Sequence, residues 1–161
     1  MAGFGRGYRC PLNVGSFSAQ IDVFDLTSSS TKPLAVCGFH LGQPSDVGDA
    51  KEEQLVLVLK AVTGSPTAGS GGTVAQTPRP VNPGDTASAA YAYGNTTKLT
   101  GGTSVELTRY SWNTRQDFPI TWIPEMWQGI GLSTHLVLEL VTTPARTITG
   151  LVGSIEFIEF G

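Results

Sequence analysis

The sequence predicts an all-β protein, an antiparallel β-sandwich of about eight strands wound as a jelly roll. Three observations predict it. Short segments of alternating apolar and polar residues recur along the chain, bounded by turn residues. Twenty glycines and ten prolines interrupt 161 residues of which only 14% are charged, a composition that suits turns and strands rather than a helical bundle. No segment carries the 3.6-residue apolar stripe of a long helix. An immunoglobulin-like sandwich is the second choice, because the chain lacks the Cys…Trp…Cys spacing of that fold. The length suits a single domain.

The elements follow in order. Residues 1–15 are glycine-rich, with Arg6 and Arg9 set among Phe4 and Tyr8. They read as an extended arm; aromatic rings are poor residues to leave in water, so Phe4, Tyr8 and Arg9 are candidates for contact with a neighbouring subunit. Residues 16–161 form the sandwich. Phe17, Ala19, Ile21 and Val23 alternate with polar residues, the period of a half-buried strand. A Thr/Ser turn over 27–31 precedes a strand over 32–41. Residues 43–53 are a polar loop, and 54–62 (QLVLVLKAV) are apolar on both faces, as in a strand covered on both sides. Residues 63–85 are dominated by Gly, Ser, Thr and Pro and read as one long loop, a feature usually functional or disordered.

Strands are expected again over 86–93 and 103–112, with Val105 and Leu107 on one face and Glu106, Thr108 and Tyr110 on the other. A short strand fits 118–123, another fits 134–142, and a last one runs over 147–160. The ending IEFIEF breaks strict alternation, which suggests a bulge or burial on both faces.

A net charge of −3 and a pI near 5.3 give no electrostatic footprint for nucleic acid or an anionic membrane. The first residues lack the apolar core of a signal peptide, and no apolar run approaches the ~18–20 residues of a membrane span. Synthesis and residence in the cytoplasm follow as the default, where Cys10 and Cys37 are expected as two reduced thiols rather than one disulfide.

Catalytic chemistry finds little purchase. His135 and Glu139 share a strand face and would need His40 to complete a two-His, one-carboxylate metal set. The chain has no His-x-His pair, so ordinary strand histidines and no metal are expected. No G-x-S-x-G elbow is present, Cys37 lies in an apolar strand, and GSPTAGSGGT lacks the Lys-Ser/Thr of a phosphate loop. Asp46, Asp49, Glu52 and Glu53 match no calcium-loop spacing and read as a solvated loop. No cofactor, small-molecule substrate or enzymatic activity is expected. The aromatic stretch 110–127 is the richest feature. Trp112, Trp122 and Trp127, with Arg115 nearby, suit a sandwich core, a protein interface or a carbohydrate-stacking platform.

From residue 43 onward the chain resembles small proteins encoded by tailed bacteriophages and prophages. The segments that carry the resemblance are GSGGT leading into TPRPVNPGD, the NTTK turn, the W-N-T-R run and the closing EFIEFG. It implies a virion structural protein, above all a jelly-roll head-decoration (cement) protein, located in the virion after synthesis in the host cytoplasm. Such a protein works as a homo-oligomer, expected to be a trimer, and its partner is the major capsid protein. In that setting Leu55, Leu57 and Leu59 would supply a trimer core. The alternatives are a carbohydrate- or receptor-binding β-sandwich and another virion component of tail, neck or fibre.

Overall fold

A computed structural model describes residues 5–44 and 53–161. Phe4 and the acidic positions 46, 49 and 52 lie outside the described residues. The chain is all-β, two antiparallel sheets packed face to face as a β-sandwich.

The strands are β1 (Arg6–Val14), β2 (Ile21–Thr27), β3 (Leu34–Gly42), β4 (Gln54–Thr63), β5 (Thr73–Gln76), β6 (Arg79–Pro80), β7 (Tyr91–Asn95), β8 (Thr103–Asn113), β9 (Phe118–Thr121), β10 (Gln128–Ile130), β11 (His135–Leu140) and β12 (Leu151–Glu159). The first sheet has the order β10-β3-β12-β1-β6, with β9 also paired to β3; the second has the order β5-β7-β2-β11-β4-β8. Strands from the two halves of the chain pair in reverse order: β1 with β12, β2 with β11, β3 with β9 and β10, and β4 with β8. The chain thus doubles back on itself as one long hairpin whose two arms are shared between the sheets.

The core lies between the sheets. Tyr8, Cys10, Leu12 and Val14 of β1 and Phe39 and Leu41 of β3, from the first sheet, share one buried cluster with Leu55, Leu57 and Leu59 of β4 and Leu136, Leu138 and Leu140 of β11, from the second. Phe39 is the hub of its aromatic part, with ring centroids 5.6–6.0 Å from Phe24, Trp122, Tyr110 and Phe118. A second, smaller cluster of Val62, Leu99 and Val137 lies on the outer face of the second sheet.

Several expectations need correction. Residues 6–14 are not an arm: β1 lies between β12 and β6, because Tyr8, Cys10, Leu12 and Val14 alternate as one apolar face and β12 pairs with the backbone along its whole length, β6 adding Tyr8 and Arg9 on the other side. The expected strand over 16–23 begins only at Ile21, with Phe17 held by a single bridge to Ile148. The segment 63–85 is not one featureless loop. It contains β5 and β6, and Thr67 and Ser70 bridge to Thr100 and Thr97. The expected strand over 86–93 starts at Tyr91, because the Ala89 amide and the Ser88 hydroxyl bond the Glu159 carboxylate instead of a neighbouring strand. The bulge expected in the C-terminal strand lies instead in its neighbour: β12 pairs with β1 without a break, and Cys37 is the extra residue on β3, between Gly38 opposite Glu156 and Val36 opposite Phe157.

Candidate functional site

Two parts of the surface depart from an ordinary sandwich. The first is the outer face of the second sheet. The β2–β7 and β2–β11 registers, with a bulge in β2 between Asp22 and Asp25, line up three rungs there: Tyr91, Thr27 and His135; Tyr93, Asp25 and Val137; Asn95, Asp22 and Glu139. Charged side chains in the middle of a sheet need partners, and most of these have them. His135 Nδ1 lies 2.7 Å from Asp25 Oδ1 and 3.1 Å from Thr27 Oγ1. Glu139 accepts from Lys60 at 2.6 Å and from Lys98 at 2.5 Å. Burial alone would raise the Glu139 carboxyl, but hydrogen bonds and charge from the two lysines hold it below its ordinary range. Asp22 Oδ2 accepts the Leu99 amide at 2.6 Å. Asp22 Oδ1 has no protein partner among the described residues, and burial pushes this carboxyl up to about 6. These bonds tie the segment 96–101 down over the sheet, and the bridges from Thr67 and Ser70 tie the segment before β5 onto it. Among the described residues no group of three or more His, Cys, Asp and Glu is arranged to hold a metal ion. His40 lies on the first sheet, beside Asp117 at 4.0 Å, so it does not join His135 and Glu139.

The second part is the open side of the sandwich, where β8 ends the second sheet and β9 and β10 border the first. Tyr110 of β8 packs edge-on against Phe118 of β9, and the Trp122 indole hydrogen-bonds its hydroxyl. Exposed apolar residues lie on β8 and in the connection between β9 and β10. Val105 is 57% exposed, Leu107 41%, Ile123 64% and Met126 57%. A bulge causes part of this. Thr108 faces Leu59 and Glu106 faces Lys60, so Leu107 is the extra residue on β8. The bulge moves Glu106 onto the same face as Arg109, where they form a bidentate pair. Sequence alternation alone had grouped Glu106 with Tyr110; the bulge is invisible to it.

The other candidate residues fall as follows. Tyr8 is not an exposed contact: it is buried and stacks on Phe157 at 5.6 Å. Arg9 is exposed and pairs with Glu156 at 3.0 Å. Leu55, Leu57 and Leu59 are fully buried inside the sandwich and do not form a surface for a trimer. Trp112 is buried too, its indole N–H donating to the Gln116 carbonyl at 2.8 Å. Arg115 is exposed in the β8–β9 turn, its amide bonded to the Asn113 side chain. Trp122 and Trp127 are half-buried, and the Trp127 indole donates to the Trp122 carbonyl at 3.1 Å. Of the aromatic segment, then, Trp112 is core, and Tyr110, Phe118, Trp122 and Trp127 are half-buried. The chain matches no protein-family profile, no curated protein and no solved structure.

Proposed function

We propose that the chain is a non-enzymatic structural protein of a tailed-phage virion, a capsid decoration protein that binds the head exterior and stabilises it as a homo-oligomer against the major capsid protein. The observation that carries this reading is the reversed pairing of the two halves of the chain. With β9 and β10 taken as one interrupted strand, the eight principal strands read 1-12-3-10 and 2-11-4-8, an order that supports a jelly-roll reading, with β5–β7 as an insertion at the turn of the long hairpin. Jelly rolls serve viral capsids, lectins and cupins. The tryptophans favour a protein contact over a lectin: Trp112 is core, and Trp122 and Trp127 are half-buried with their N–H groups engaged. The exposed apolar residues of the open side suit a protein partner. A three-fold contact would not use Leu55, Leu57 and Leu59, which are inside.

The test is immunogold microscopy of intact phage particles made from the genome that encodes the chain, with antibody against the pure protein. Gold distributed over the heads is expected. Gold confined to the tail or fibres would replace this reading with another virion role, and unlabelled particles would overturn it.

A further inference from the structure

We propose that β8 is a self-recognition edge, pairing antiparallel with β8 of a second copy about a two-fold axis at Thr108. Among the described residues no strand lies beyond β8, so one side of this 11-residue strand presents free backbone donors and acceptors. Such an edge is sticky towards any strand unless something restricts it. Here the restriction is the Leu107 bulge and the exposed pair Glu106 and Arg109.

The same pair selects one partner. Counting rungs by the β4 residue opposite each position, Arg109 sits at Val58, Thr108 at Leu59 and Glu106 at Lys60. Glu106 and Arg109 therefore flank Thr108 symmetrically on one face. In a two-fold pairing centred on Thr108, Glu106 of each copy stands opposite Arg109 of the other, twice over. Opposite charges directly across a sheet attract and like charges repel, so other registers lose what this one gains. The parity is correct as well: a two-fold axis perpendicular to a sheet places a residue opposite a residue of the same face. The same register sets exposed Val105 against Tyr110 of the second copy, which covers apolar surface that is open in the single chain. It also overlaps the strands from Thr103 to Trp112, almost their full length. The contact is isologous and distinct from any three-fold contact of a decoration trimer.

Sedimentation velocity over a wide concentration range tests the pairing on the pure full-length protein. The wild type is expected to associate in steps of two. Glu106→Arg and Arg109→Glu, each alone, place like charges opposite one another twice, and each should move the association midpoint to about tenfold higher concentration. The double variant, with both charges exchanged, should return it. A wild-type mass that never doubles, single reversals without effect, or a natively folded double variant as weak as the singles would each overturn the proposal. A second readout is independent of charge. Residues directly opposite on antiparallel strands have Cα atoms roughly 4.5–5.5 Å apart, within disulfide reach. Oxidised Thr108→Cys, in a Cys37→Ala background, should give a covalent dimer; a chain that stays monomeric on a non-reducing gel overturns the two-fold register. Head labelling by antibody is read separately, so failure here leaves the decoration reading standing on its own test.

Discussion

Asp22 shows how a single buried carboxylate can cost stability at neutral pH. It is wholly buried, one oxygen takes the Leu99 amide, and the other has no protein partner among the described residues. Burial, with Asp25 and Glu139 adding like charge, pushes its pKa from 3.8 up to about 6. The folded protein then holds a proton more tightly than the unfolded chain. This group therefore favours folding below about pH 4, loses that contribution as pH rises towards 6, and is a net cost above it. The size is about 3 kcal/mol at full development. Asp22→Asn keeps an acceptor for the Leu99 amide without the charge. We expect it to raise the melting temperature at pH 7.5 by several degrees and to give little gain at pH 4.5. A variant no more stable than wild type at pH 7.5 would mean that the Asp22 carboxylate carries no net burial cost. Glu139 runs the opposite way: its pKa is lowered, so its contribution is present above the ordinary carboxylate range and is lost as pH falls through it.

At the scale of elements, side chains decide where strands stop. Residues 86–90 alternate well enough to be read as a strand, yet they lie as a strap whose partner is a side chain. The buried Glu159 carboxylate accepts the Ala89 amide at 2.9 Å, the Ser88 hydroxyl at 3.1 Å and the Lys32 ammonium at 3.5 Å. Tyr8 adds a bond to the Thr86 carbonyl at 3.0 Å. Replacing Glu159 by Ala removes the charged acceptor shared by the Ala89 amide, the Ser88 hydroxyl and Lys32, at a cost of about 1.5–3 kcal/mol. The urea midpoint should fall accordingly, and amide exchange should speed up over 86–90 before it does in β12. Uniform acceleration across the molecule would show that the strap is not a local unit. This also marks what was legible beforehand. Strongly apolar strands such as β3, β4, β11 and β12 were readable because their short apolar runs come from burial, which is also what holds them. The strap, the Leu107 bulge and the polar rungs of β2 depend on partners far away in sequence, about which local pattern carries no information. The Asp22–Asp25–His135–Glu139 array shows the limit well. Two of its members were visible as a shared strand face, but which acids and lysines would meet them depended on the β2 and β4 registers.

For the whole molecule, the reversed pairing makes the first and last strands mutually dependent. Arg6 faces Glu159 and Val14 faces Leu151, so β1 and β12 close the first sheet across nearly the whole length of the chain. Contacts of such long sequence separation form late and slow folding, and the sandwich is incomplete without them. An arm could be removed with loss of assembly alone; β1 cannot. Deleting residues 5–14 withdraws the side chains of Tyr8, Cys10, Leu12 and Val14 from the core and exposes the pairing edge of β12. At about 1.5–3 kcal/mol for each large apolar side chain, the loss approaches the ~5–15 kcal/mol that is the whole stability of a typical domain. The truncated chain should therefore lack cooperative thermal unfolding and the near-ultraviolet circular dichroism of a packed aromatic core, and should aggregate through the bared edges of β12 and β6. A truncated protein that remains monomeric, melts cooperatively and keeps its aromatic signal would restore the arm and remove β1 from the structural account of the sandwich.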